Sequence, residues 1–362
     1  MIFNNLKLIN FRNIDFQELF FCERINLFIG NNAQGKTNLL EALYLLSFTK
    51  SFKTNNLKEL INFKANNFFL EGKLSENDFI HDITFFFEKN KEINLDNNKI
   101  TKLKSIFGLI NIVLFVPEDL FLIKGSPSNR RKLLDIELSK IDQLYLDALA
   151  NYYYVLKQRN IYLKRDNIDN NMLDVFDKQL IKYGLIIYEL RTNFINEINA
   201  LVNKYYLSIA NDEKDVLIKY HSSFSLDNSI NSNLFFNSRN KDIQLHQTNN
   251  GIHRDDIIFY LNGNNASEFA SQGEQRSIVL SLKLALLEYI YLKTNNYPIF
   301  LLDDVLSELD NNRQENLIRK LNNNIQTFIT CTSLHGINKE FIRNSYLFKV
   351  NNGQFERMEI NE

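Results

Sequence analysis

The chain has no tryptophan, 3 prolines, 11 glycines and 2 cysteines among 362 residues. Cys22 and Cys331 are too few and too far apart for a disulfide framework or a C-x-x-C metal site. The 5 histidines are scattered and form no H-x-x-x-H pair, which argues against intrinsic zinc. No uncharged apolar run approaches the length a membrane-spanning helix needs, so no helix is expected to span a bilayer. The segment from Met1 to Lys7 lacks the basic-then-apolar pattern of a secretory leader. A surplus of one charge is also missing: 42 Lys+Arg against 43 Asp+Glu leave a net charge of −1. A bulk polycation is thereby excluded, and any nucleic-acid contact needs a local basic patch. The expectation is a soluble, cytoplasmic protein. Apolar residues are plentiful at 44%, enough for a substantial core.

The first third reads as strands. Leu6, Leu8 and Phe11 keep roughly alternating spacing, and runs follow at Phe16–Phe21, Ile25–Ile29, Asn67–Leu74, Phe79–Glu88 and Ile110–Phe115. Gly30 ends the run at Ile25–Ile29, and Leu39, Leu40, Leu43 and Leu46 then recur at helical spacing. From Ser128 to Arg165 the pattern is helical without Pro or Gly, predicting one helix of ~37 residues. Met172–Leu207 looks alike, so the two form an antiparallel hairpin about the polar turn Asp166–Asn171. Strands at Val216–Tyr220 and Asp256–Leu261, a helix from Gly273 to Leu292 and a buried strand Pro298–Leu302 come next. Asn311–Asn324 reads as helix and Thr327–Thr330 as a last strand. The Asn-rich stretch Asn228–Asn240 reads as a mobile surface segment.

Chemistry enters at Gly30-Asn31-Asn32-Ala33-Gln34-Gly35-Lys36-Thr37, which satisfies G-x-x-x-x-G-K-[ST] between a strand and a helix. Gly30 and Gly35 allow backbone angles that turn successive N–H groups toward phosphate oxygens. The helix beginning at Lys36 adds its positive end. Lys36 then reaches the β- and γ-phosphates, and the Thr37 hydroxyl ligates Mg²⁺. The pattern is not G-x-G-x-x-G, so a dinucleotide fold is unsupported.

A matching half of the site lies far along the chain. Ile299–Leu302 is an apolar strand ending in Asp303-Asp304, the Walker B pattern. Asp303 is placed to hold Mg²⁺, and Asp304 to orient the attacking water as a base. Ser307-Glu308-Leu309-Asp310 closes a short loop beyond it. Upstream of that strand, Ser271-Gln272-Gly273-Glu274-Gln275-Arg276 opens a helix. On its own this turn is equally well an ordinary N-cap at Ser271 or Ser277 or an anion receptor. In ATP-binding-cassette ATPases the Ser-x-Gly turn of one protomer binds the γ-phosphate held by another.

Taken together, these segments resemble the RecF family, recombination mediators related to the ATPase heads of SMC proteins. The resemblance rests on Leu6–Asn13, Gly30–Ala42, Lys50–Thr54, Phe115–Leu120, Lys124–Pro127, Arg130-Arg131, Gly251–Asp256, Ser271–Arg276 and Leu301–Asp310. It implies an α/β ABC-type ATPase head with a mixed sheet flanked by helices and an inserted helical hairpin lobe. The expected division is 1–120 and 216–362 for the head and 121–215 for the lobe. It implies ATP and Mg²⁺ as cofactors and a nucleotide site of Arg12, Asn13, Gly30, Asn31, Asn32, Ala33, Gln34, Gly35, Lys36, Thr37 and Asn38. Lys36, Asp303 and Asp304 are then catalytic, and Thr37 and Asp303 hold the metal. Ser271, Gln272, Gly273 and Gln275 act in trans, with Ser307 and Asp310 in the D-loop. An ATP-dependent homodimer on duplex or gapped DNA is implied, working with RecR, RecO and RecA and lacking nuclease activity.

Several positions depart from the wider pattern. Ile252 stands where the family carries Pro. No Gln occurs between Pro117 and Lys124, and Thr330-Cys331-Thr332-Ser333 replaces a switch His, with His335 out of register. Asp304 stands where transporter cassettes carry Glu, so slow turnover is expected. His253-Arg254-Asp255-Asp256 reads as a structural ion pair at a strand start, with Arg254 bracing the signature turn.

Between Lys124 and Arg165 there are nine basic and four acidic residues, with Tyr152, Tyr153 and Tyr154 among them. Arg130, Arg131 and Lys132 are the leading candidates for DNA phosphate contacts, and Lys50, Lys53 and Lys58 form a second cluster. No base-reading motif is visible, so binding should be sequence-independent. Competing readings are a transporter-coupling ATPase, an SMC-like DNA tether and a defence ATPase driving a nuclease. The inserted helices and missing switch His weigh against the first. The stretch between Thr37 and Ser271 is too short, and too rich in strand-like runs, for the long arm of the second. The third expects a further C-terminal domain.

Overall fold

The computed structural model describes residues 1–76, 79–101, 106, 108–210, 212–306, 309–321, 324–334 and 338–359. The chain packs into two units. One holds Met1–Asp119, Ser208–Ala210 and Leu286–Glu362, and the other Leu120–Leu207 and Asn211–Ala285.

The first unit is built on two six-stranded sheets. One is antiparallel, from β1 (Ile2–Phe11), β2 (Ile14–Phe20), β4 (Phe68–Glu76), β5 (Phe79–Phe87), β6 (Lys91–Leu95) and β7 (Asn98–Lys99), in the order β2-β1-β4-β5-β6-β7. The other runs β15-β14-β3-β13-β12-β8. It comprises β3 (Ile25–Ile29), β8 (Ile112–Phe115), β12 (Ile299–Leu302), β13 (Thr327–Cys331), β14 (Ser345–Asn351) and β15 (Gln354–Met358). All its pairings are parallel except β14 with β15. Every residue of β12 and β13 is buried, as expected of parallel strands covered on both faces. Helix α1 (Lys36–Phe48) touches strands of both sheets. Its Leu39, Leu40, Ala42, Leu43 and Leu45 are fully buried, which is why its apolar residues run nearly all round the helix.

The second unit contains α2 (Phe121–Lys124), α3 (Pro127–Ile141), α4 (Gln143–Tyr162), α5 (Asn170–Ala210) up to Leu207, and α6 (Asn228–Leu245). A small antiparallel sheet joins them, β11-β10-β9, made of β9 (Val216–His221), β10 (Asp256–Leu261) and β11 (Asn264–Asn265). Helix α7 (Ala266–Phe269) leads into α8 (Gln272–Thr294), and the division between units falls inside α8. Helices α9 (Asn311–Lys320) and α10 (Lys339–Arg343) belong to the first unit. No helix among the described residues is long and apolar enough to cross a membrane.

Three expectations change. The single helix expected over 128–165 is two, because Asp142 leaves the helical region (φ −134°, ψ 108°). Its carboxylate accepts from Tyr145 N at 3.0 Å and caps α4, a strong local competitor of helix continuation. The stretch from Asn228 is helix α6, capped by Asp227 accepting from Ser229 N. It is anchored by fully buried Phe235, Asn231 and Asp242, which composition cannot reveal. The head boundary expected at 215/216 does not coincide with the packing. Strands β9 and β10 pair with each other and β10 packs on α3, so 216–285 belongs with the helical segments.

Candidate nucleotide-binding site

Strand β3 delivers the chain to Gly30, whose N–H donates to Cys331 O at the end of β13 (3.3 Å). A Cβ at Gly30 would lie 2.3 Å from Val350 O, so only glycine fits. Gly35 has φ +110°, a conformation L side chains avoid. A Cβ there would also meet Asn13 Oδ1 at 2.8 Å. Asn13 donates to Gln34 O (3.2 Å) and accepts from Asn38 Nδ2 (2.8 Å), and Gly353 N donates to Gln34 O (2.8 Å). The β1–β2 and β14–β15 turns therefore clamp the loop from outside.

Lys36 opens α1 and is 6% exposed. Its ammonium donates to Gly30 O (2.5 Å) and Asn31 O (2.9 Å). Burial lowers its pKa, opposed chiefly by Asp304. The next residue meets the other half of the site: Thr37 Oγ1 donates to Asp303 Oδ1 at 2.9 Å. Thr330 Oγ1 donates to the same oxygen (2.8 Å) and accepts from Asp304 N (2.9 Å). Burial raises the pKa of Asp303, against the bonds from Thr330 and Thr37. Asp304 adopts φ +50°. A cleft of about 210 Å³ is lined by Asn32 to Asn38, Lys53, Asp303 and Asp304.

A triphosphate and Mg²⁺ fit these residues. Gly30 and Gly35 let the loop pack against Val350 O and Asn13, where a Cβ has no room, the cleft is lined by successive loop residues and the buried ammonium of Lys36, and a hydroxyl and a carboxylate side by side form the hard oxygen set Mg²⁺ prefers. Two contributors escape sequence reading. Thr330 carries no spacing signal, and Lys53, a DNA candidate by sequence, lines the nucleotide cleft. Lys53 is placed by Ser51 Oγ, which accepts from Lys53 N (2.9 Å) and Thr54 N (3.0 Å) and donates to buried Glu41. Glu41 in turn receives Arg12 through Nε (2.9 Å) and Nη2 (2.8 Å). The Arg12 guanidinium thus braces the Ser51–Lys53 loop and is not among the residues lining the cleft.

The signature turn belongs to the second unit. Ser271 and Glu274 form a reciprocal capping box: Glu274 accepts from Ser271 N (2.7 Å), and Ser271 Oγ accepts from Glu274 N (3.3 Å). Lys214 also binds Glu274, and this bond is the main cause holding the Glu274 pKa down at about 2. Buried Gln275 ties the turn to Ala266 O (3.1 Å) and Ala270 O (2.8 Å). Ser271 and Gln272 are exposed or nearly so and Gly273 is half-buried. Asp310 caps α9 through Arg313 N, whereas Ser307 and His335 lie outside the described residues.

The basic candidates divide. Arg130 is buried: it grips Asp256 through Nε (2.6 Å) and Nη2 (2.8 Å) and donates to Gly125 O. It is a structural ion pair at the start of β10 and leaves the DNA list. Arg131 is half-buried and donates to Asp255 O (2.7 Å), while Lys50 and Lys132 are exposed. Asp255 is held by Arg191, Tyr220 and Ser222. His253 bonds Tyr152 OH (2.9 Å) and Thr248 O (3.0 Å), and burial lowers its pKa to about 4. Arg254 reaches Thr248 O (3.4 Å) instead of the signature turn that the sequence has it bracing.

Residues 2–355 match the family described as RecF/RecN/SMC N terminal domain. The DNA replication and repair protein RecF of Clostridium botulinum (strain 657 / Type Ba4) is 42% identical, covering 99% of this chain and 100% of its own. A solved structure of the recombination mediator protein RecF with ATP, of the RecFOR pathway, superposes with a TM-score of 0.89 at 34% identity, covering 99% and 97% of the two chains. An SMC head bound to the C-winged helix domain of ScpA gives a TM-score of 0.58 at 12% identity over 99% and 97%, a likeness of fold alone. With an SMC-head fold, a phosphate loop facing its Walker B carboxylates and full-length identity at this level, the chain belongs to the RecF family.

Proposed function

We propose that the chain is a slow ATPase that dimerises on ATP, holds DNA in the closed state and acts as a recombination mediator. The observation that carries this reading is the meeting of Thr37, next to Lys36, with Asp303, 266 residues beyond it in sequence, at 2.9 Å. The N–H groups of the loop and Lys36 bind the triphosphate. Thr37 and Asp303 would hold Mg²⁺, which would supply positive charge against the triphosphate. Asp304 orients the attacking water, and its short carboxylate keeps turnover low.

The signature turn suits an in-trans role. Ser271 and Gln272 lie open at the positive end of α8, and Lys214 neutralises the carboxylate of Glu274 in that turn. Ser271, Gln272 and Gly273, held in place by Gln275, close over the triphosphate of a second protomer, and Ser307 and Asp310 complete that contact. ATP is then a conformational timer, because the γ-phosphate contributes contacts only in the closed dimer. The names of the relatives support DNA replication and repair as the setting. RecR, RecO and RecA are the expected partners, at gaps and junctions in the cytoplasm, with Lys50, Arg131 and Lys132 as candidate phosphate contacts. Sedimentation with and without ATP and gapped duplex tests the reading. Monomers under all conditions, or dimers indifferent to ATP, refute it.

A further inference from the structure

Arg130, Lys140, Arg159 and Tyr152 are buried, so burial removes four members of the basic and aromatic cluster read from the sequence. What remains outside is ordered. Tyr153, Lys157, Asn160, Ile161 and Lys164 fall at i, i+4, i+7, i+8 and i+11, which is one face of α4 continued just past its end. Together with Leu156 they line an open groove of about 340 Å³. Tyr153 and Ile161 are 39% and 49% exposed, and neighbouring Tyr154 is 65% exposed. No Asp or Glu occurs from Ala148 to Arg165, and among the described residues none lines the groove. The two lysines lie roughly 10 Å apart along the helix. Arg165, stacked over the Tyr162 ring at 5.2 Å, continues the positive charge beyond Lys164.

We propose that this face of α4 is a track for single-stranded nucleic acid, an inference that rests on the DNA-binding reading and gives it a surface. Cations spaced along a groove that begins at an exposed aromatic ring are what an unpaired strand needs: phosphates meet Lys157 and Lys164, and an unstacked base meets Tyr153 at the groove's end. A duplex hides its base faces and has no use for that ring. A carboxylate-free groove also fits a polyanion better than a mixed-charge protein surface.

The test is fluorescence anisotropy of a labelled oligo-dT and a duplex of equal length, titrated with the full chain, ATP and Mg²⁺ over a salt series. Lys157→Ala/Lys164→Ala should weaken oligo-dT binding at least tenfold at low salt. It should also flatten the slope of log affinity against log salt by about 1.4, two phosphate contacts' worth. Tyr153→Ala should weaken it about tenfold with the slope unchanged, and Tyr153→Phe should restore it. ATP hydrolysis should stay at the wild-type rate in all three. Oligo-dT binding equal to wild type in the lysine variant overturns the proposal. So does a loss confined to the duplex, which would make the face a duplex contact. A wild-type chain that binds neither strand form refutes the DNA reading itself and the track with it.

Discussion

Arg159→Ala should destabilise the second unit by about 3–4 kcal/mol, a magnitude set by the buried charge it leaves behind. Arg159 has no exposed surface and donates to Asp177 (2.9 Å), Asp242 (2.8 Å) and Thr248 Oγ1 (2.8 Å). On its loss the two carboxylates fare differently. Asp177 keeps Arg239 through Nε (3.1 Å) and Nη2 (2.8 Å). Fully buried Asp242 keeps neutral donors, Asn249 N (3.0 Å), Asn249 Nδ2 (2.9 Å) and Ser238 Oγ (3.3 Å). Removing one member of a buried pair costs about 3–5 kcal/mol, mostly from the charge left behind. The neutral donors to Asp242 place the value in the lower part of that range. Arg159 Nη2 has no partner among the described residues, which lowers it further. Against a total stability of about 5–15 kcal/mol the loss is large. It would also release the rotation of α4 that turns Lys157 and Lys164 outward. If the charge on Asp242 is the cause, adding Asp242→Asn to Arg159→Ala should recover roughly half of the loss relative to additivity. Hydrogen exchange on α4 and α6 peptides reads the unit locally, and denaturant midpoints give the cycle. A cost near that of an ordinary surface substitution, or two variants whose effects simply add, refutes the argument.

Further outcomes are expected at the nucleotide site and around His253. Lys36→Ala should abolish triphosphate binding, measured by calorimetry; retained micromolar affinity contradicts its role. Lys53→Ala should lower the hydrolysis rate about tenfold or more while leaving nucleotide affinity within a few fold, and Lys53→Arg should largely restore it, since a cation in the wall of the cleft acts on charge that develops there. A Lys53→Ala variant with wild-type turnover and reduced DNA affinity would return that residue to the DNA surface. The folded pKa of His253, about 4, lies below its ordinary 6.5, so the unfolded chain binds the proton first as pH falls. The second unit should therefore lose about 3 kcal/mol between pH 6.5 and 4, and His253→Gln should flatten that part of the profile. An unchanged profile in the variant refutes the assignment.

Legibility differs by the kind of signal involved. The phosphate loop and the strand before Asp303 can be read because both obey local rules: glycine where a Cβ cannot go, an apolar run where a strand is covered on both faces. The extent of α1 and of strands β3 and β12 follows from the same patterns. What escapes depends on partners distant in sequence or on single side chains without a period. Arg130 has the same charge as Lys132 on the same helix, and its carboxylate lies 126 residues away; counting charges cannot tell a buried pair from a phosphate contact. Asp142 interrupts a helical pattern that is unbroken in its apolar positions, because a cap acts through one hydrogen bond. Thr330 joins the site only because β13 lies beside β12. Lys53 reads as one of three clustered lysines, and only the chain Arg12–Glu41–Ser51 shows where its loop is held. Charge in this protein therefore acquires meaning through burial. Setting aside the buried, carboxylate-paired cations leaves Lys157 and Lys164 as the exposed charges of a face on which the sequence places no carboxylate, and the nucleic-acid proposal depends on that subtraction rather than on the net charge of the segment.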